Sequence, residues 1–146
     1  VSAFCYQPEG VLIMKKIFAL AIVAASVLFA GQVSAAEWGY LTVIPNDRPG
    51  DSVYRVNIES IDGKMPDPGA NAPVSPGTHV VKVSLVFNAD WGTSMGMTED
   101  NIYTDEISVD VAAKKTYFLG AKVNTKATSA EQMKGNFWDP MVVSVE

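Results

Sequence analysis

Beyond residue 36, apolar and polar residues alternate with period two, and that rhythm predicts strands rather than helices. "SVYRVNIE" sets Tyr54, Val56 and Ile58 against Arg55, Asn57 and Glu59. "THVVKVSLVF" puts Val81, Val83, Leu85 and Phe87 on one face, with His79 leading the same parity. "DEISVDVA" alternates Ile107, Val109 and Val111 with Ser108 and Asp110. "TYFLGAKV" places Tyr117, Leu119, Ala121 and Val123 against Phe118, Gly120 and Lys122. "PMVVSVE" closes the chain with Met141, Val143 and Val145, and "WGYLTVI" opens the series less cleanly. Six strands follow, or seven if a short one lies within residues 94–103.

The punctuation agrees with that reading. "NDRPGD" is a turn, because proline presets φ and glycine accepts positive φ. Asp62-Gly63 is a hairpin signal. "MPDPGANAPVSPG" holds four prolines, so it cannot be ladder-forming strand throughout. Ala112 to Lys115 is a tight polar connection, and a helical turn is expected only around Ser129 to Lys134. Half-buried strands need a facing layer. The expected fold is all-β, a small antiparallel β-sandwich of six to seven strands, with a five- or six-stranded barrel as competitor.

The segment before these strands changes the picture of where the domain works. "MKKIFALAIVAASVLFAGQVSAAE" has a positive start at Lys15 and Lys16, an uncharged run from Ile17 to Ala30, and small residues at Val33 and Ala35. That is the layout of a cleavable secretory signal over residues 14–35. The apolar run is shorter than the roughly 20 residues of a membrane-spanning helix. Residues 1–13 are expected to be a mis-called start, since a good signal begins at Met14 and Glu9-Gly10 is encoded by a purine-rich string resembling a ribosome-binding site. The mature chain is then a single domain over residues 36–146, periplasmic or secreted from a bacterium, with no membrane span after cleavage.

The only cysteine, Cys5, falls outside that domain. A thiol-free exported domain must stand on its core alone. The mature chain carries nine basic and fifteen acidic residues. This balance argues against nucleic acid, which needs clustered Lys and Arg, and against an anionic membrane surface.

"VSPGTHVVKVSLVF" followed by "ISVDVAAKKTYFLGAKV" resembles small exported bacterial β-sandwich domains of the PEGA-like kind, over about residues 53–123. In that family a Pro-Gly-x-His stretch enters one strand and an Ala-x-Lys-x-Tyr stretch a later one. The resemblance implies an accessory or binding module of the cell envelope, with no catalytic residue to transfer. The chain departs from the pattern in its "NADWGTSMGMTEDNIYT" insertion and its Pro-rich segment, and loops of that kind are where particular functions sit.

Candidate chemistry is thin. His79 is the only histidine, so multi-His zinc sites are excluded and a hydrolase would have one candidate base with no nucleophile motif beside it. Asp90, Glu99, Asp100 and Asp105 flank one loop but form no recognised calcium motif. The domain is therefore read as non-enzymatic. A soft-metal site is the sharper alternative: His79, Trp91, Met95 and Met97 run in the same order as the ligands of small periplasmic copper chaperones of the silver/copper efflux type. Thioether sulfur suits Cu(I), the only cofactor any reading implies, although both intervals are wider here. Methionine and tryptophan serve equally well as plastic cover over a core. The leading reading is a binding module for an envelope protein or glycan, with Trp91, Phe137 and Trp138 as contact residues, because aromatic and Met side chains are enriched at interface cores.

Overall fold

Strand-forming alternation is realised almost throughout the computed structural model, which describes residues 37–68 and 71–146. The expected signal peptide at 14–35 and the leading residues 1–13 lie outside these. Among the described residues eight strands form: β1 (Gly39–Val43), β2 (Val53–Tyr54), β3 (Val56–Ile61), β4 (Asn71–Val74), β5 (Gly77–Leu85), β6 (Thr104–Val111), β7 (Thr116–Val123) and β8 (Trp138–Val145). Two short helices, α1 (Ala89–Gly92) and α2 (Ser129–Met133), interrupt them. Among the described residues no helix is long and apolar enough to cross a membrane.

The strands make two sheets, so the fold is all-β and the barrel alternative is not adopted. The first sheet centres on β7, with β8 along one edge and β1 and β2 on successive stretches of the other; β4 adds beyond β1. The second sheet has the order β3-β5-β6. Inward residues of both, among them Leu41, Leu119 and Ala121 from the first and Val56, Val81, Val83 and Val109 from the second, share one core.

Three features differ from the sequence expectation. The first sheet is mixed, because β1 runs parallel to β7, with Tyr40 opposite Thr116 and Val43 opposite Leu119. Alternation reports which face a residue takes but carries no strand direction. The Pro-rich segment does contain a strand, β4, paired with β1 from Gly39–Val74 to Thr42–Asn71. Pro73 is tolerated there because β4 is an edge and owes no N–H to a further neighbour. Finally, residues 94–103 hold no strand; a 3-10 turn at Thr93–Met95 and loose turns take their place.

The turn chemistry is as expected. Ile61 and Lys64 exchange both backbone hydrogen bonds around Asp62-Gly63, whose φ angles of 50° and 77° suit a two-residue hairpin loop. Helix α2 starts with a capping box: the Glu131 amide donates to Thr128 Oγ1 and the Thr128 amide donates to the Glu131 carboxylate.

Candidate interaction surface

The "NADWGTSMGM" loop is folded inward. Asn88 Nδ2 donates to Asp47 Oδ2 at 2.7 Å, anchoring the loop to the turn after β1. The Gly92 amide donates to Asn88 O and the Met97 amide to Gly92 O, so the backbone curls back on itself. A Cβ at Gly92 would lie 2.2 Å from the Phe87 ring, which shows how closely that ring lies on the helix. The curl drives Trp91 into the core, where it is 2% exposed and packed among Tyr54, Phe87 and Phe137, with ring centroids 6.0–6.2 Å away. Its indole Nε1 has no hydrogen-bond partner. Met97 is buried and Met95 packs against the same cluster.

Phe137 and Trp138 are core residues too. Phe137 meets Tyr103 edge-on at 4.9 Å, and Trp138 points inward from β8 opposite Val123. The structure therefore corrects the proposed contact set: Trp91, Phe137 and Trp138 converge, but inside the domain. The physical reason is the gap between the sheets beyond the Leu85 end of β5, which strands alone leave open and bulky rings fill.

His79 sits at the other end of β5. From His79 to Leu85 the strand runs about 20 Å at roughly 3.3 Å per residue. The structure brings Trp91, Met95 and Met97 to one cluster and leaves His79 out of it. Both His79 nitrogens are engaged: Nδ1 with Asp62 Oδ2 at 2.6 Å and Nε2 with Ser75 O at 2.6 Å. Two acceptors require both nitrogens to donate, which is the imidazolium form. The Asp62 hydrogen bond, then the Ser75 carbonyl, hold the His79 pKa above its ordinary value, against the opposing effect of burial. The same bond, helped by the Val80 amide, lowers Asp62. Among the described residues no group of three His, Cys, Asp or Glu side chains gathers in metal-holding geometry. Glu99, Asp100 and Asp105 are exposed.

The Pro-rich segment borders two open depressions of about 260 and 320 Å³ that share Met65, Pro66, Asp67, Pro68 and Ala72. Ligand pockets usually span about 300–1,000 Å³ and bury most of their ligand; these lie at or below the lower end of that range and are open.

The more distinctive surface is the outward face of the first sheet. Register puts Tyr40, Thr42, Phe118, Gly120, Lys122, Asp139 and Met141 on the side away from the core, and β2 adds Val53. Ile44 continues that face, since its Cδ1 and a Val143 methyl would lie 3.2 and 2.8 Å from a Cβ at Gly120. Ile44 and Val53 are buried yet stand outside the core cluster. Around them Phe118, Met141 and Val143 are half-buried, and Tyr40 is exposed. The outward face of the second sheet is its opposite: Thr78, Lys82, Ser84, Glu106, Ser108 and Asp110, with Val80 the apolar exception. Ser84 Oγ there donates to Glu59.

Sequence reasoning missed the first face because it assigned Phe118, Gly120 and Lys122 to the solvent side without asking what gathers there. The signal was present: "TYFLGA" is apolar at both parities, the mark of a strand covered on two sides. Comparison of the chain with protein families, with curated proteins and with solved structures finds no match.

Proposed function

We propose that residues 36–146 form a small exported β-sandwich that acts as a non-catalytic accessory module of the bacterial envelope, binding a protein partner through the outward face of its first sheet. The carrying observation is the contrast between the two outward faces. On the face turned away from the core Tyr40 is exposed and Phe118, Met141 and Val143 are half-exposed around the buried Ile44 and Val53, and contiguous exposed apolar patches mark interaction sites. Aromatic and Met side chains at its centre, with Lys122 and Asp139 at its margin, match an interface core with a polar rim. The PEGA-like resemblance over residues 53–123 points to the same class of protein. The copper alternative gains no support, because His79 stands at the far end of β5 with both ring nitrogens occupied.

Site-specific photo-crosslinking tests the proposal. A photoreactive amino acid at Met141 is expected to trap a discrete adduct in intact cells, whereas the same group at Asn57 on the opposite outward face, on β3 and away from β6, yields none. Met141→Asp should abolish an adduct trapped from position 118 while leaving the melting temperature within a few degrees. Equal trapping from both faces, or from neither, would overturn the reading.

A further inference from the structure

The edge strands of the two sheets are β2, β4, β8, β3 and β6, and all but the last are blunted in the ways natural sheets use, β2 by having only two residues. β4 has four residues and contains Pro73. β3 carries a bulge between Ile58 and Ser60. β8 has Pro140 near its start and a register shift opposite Phe118 and Leu119. β6 has none of these. It pairs with β5 in unbroken register from Gly77–Val111 to Ser84–Thr104, contains no proline or glycine, and makes no ladder on its other side.

The hydrogen-bonding phase of that free side follows from one bond. The Leu85 amide donates to Tyr103 O at 2.9 Å. Bonded pairs alternate along an antiparallel ladder, so Asp105, Ile107, Val109 and Val111 spend their backbone groups on β5. Thr104, Glu106, Ser108 and Asp110 turn theirs outward. The Glu106 amide agrees, because it is satisfied by the Asp105 side chain at 2.8 Å rather than by β5. The Ser108 and Asp110 amides and carbonyls are then a regular, extended template.

We propose that the β6 edge accepts an extended, basic segment of another protein as an added strand. The backbone makes the site, and charge selects the occupant. Asp105, Glu106 and Asp110 lie on β6 with no lysine or arginine among them; Lys82 on β5 is the one base in register with the strand, opposite Glu106. A second copy of this chain pairing edge to edge would set acids against acids, which destabilises a cross-strand pair. A segment with Lys or Arg spaced to face both Glu106 and Asp110 would instead gain a favourable pair at each while its backbone completes the ladder. β-strand addition of this kind draws affinity from main-chain bonds and specificity from alternate side chains. The edge belongs to the second sheet, so this inference and the docking role of the first sheet's outward face stand or fall separately.

Amide hydrogen exchange resolved by residue tests it, using three synthetic peptides long enough to span β6. One alternates lysine with threonine, one alternates glutamate with threonine, and one keeps the lysines but has proline at the threonine positions. The lysine–threonine peptide is expected to slow exchange at Ser108 and Asp110 by about tenfold or more, less so at high salt, while the other two change nothing there. Glu106→Lys with Asp110→Lys should exchange the preferences of the two threonine peptides. Unchanged exchange at Ser108 and Asp110 would mean that no strand adds there, and equal slowing by the proline peptide would mean that charge alone acts; either overturns the proposal.

Discussion

The two ends of β5 are closed in opposite ways. Beyond Leu85 the gap between the sheets is filled by rings: Trp91, Phe137, Tyr54 and Phe87 pack together, and Trp91 Nε1, buried among them, has no partner. At the Gly77 end one side chain, His79, ties the Asp62 turn to the Ser75 carbonyl. The first closure rests on apolar area and is indifferent to pH. The second depends on a proton. A small domain without disulfides has used each device where its neighbouring residues allow it: bulky apolar residues in a long loop at one end, and a two-residue turn with a carboxylate at the other.

The largest expected effect breaks the aromatic end. Trp91→Ala should cost about 3–5 kcal/mol in urea unfolding, the range for emptying a buried aromatic site. Trp91→Phe should cost much less, because the indole N–H makes no bond that phenylalanine would lose. Equal losses from the two variants would show that Nε1 has a role the packing account omits. Next, Met97→Ala should cost about 2–4 kcal/mol and Met95→Ala less, following their burial. A metal role would instead leave stability nearly intact in both.

A smaller effect is expected at the ionic end. His79→Ala should cost about 1 kcal/mol near pH 6, since it removes the hydrogen bonds to the Asp62 carboxylate and the Ser75 carbonyl, both of which water can reach. The sign with pH follows from linkage. His79 is raised on folding, so its contribution is complete below the unfolded value of about 6.5 and fades as pH rises through the higher folded value. Asp62 is lowered on folding, so its contribution is present above 3.8 and is lost as pH falls through the lower folded value. The stability gap between the wild type and His79→Ala should therefore be widest in the mildly acidic range and narrow toward alkaline pH. Trp91→Ala should show a gap with no such trend. Parallel pH profiles for the two variants would erase the distinction between the ends.

Much of the fold was legible along the chain. Five of the eight strands, β1 and β5 to β8, lie where single stretches of alternation predict them, and β2 and β3 split one expected strand at Arg55, whose amide turns instead to Asp47 Oδ1. The Asp62-Gly63 hairpin and helix α2 were readable because each depends on a few adjacent residues. β4 was not, since "NAPV" is too short to show a period and holds a proline. The candidate surface was partly legible: Phe118 falls on the polar parity of its strand, whereas Met141 and Val143, read as the apolar face of the last strand, turn outward, and Ile44 and Val53 join them only through β1 and β2 binding successive stretches of β7.

The sequence by itself therefore determined what depends on neighbours: the face each strand residue takes, the turns that end the strands, and the cap that starts α2. Tertiary structure alone decided what depends on residues far apart. It set β1 parallel to β7, whose paired residues stand 76 positions away, and it chose the inside for a tryptophan that either side could have held. Alternation is a period, and a period carries no information about direction or distant partners. The apolar area of Trp91 is worth the same buried in any gap, and only the packed sheets define where that gap lies.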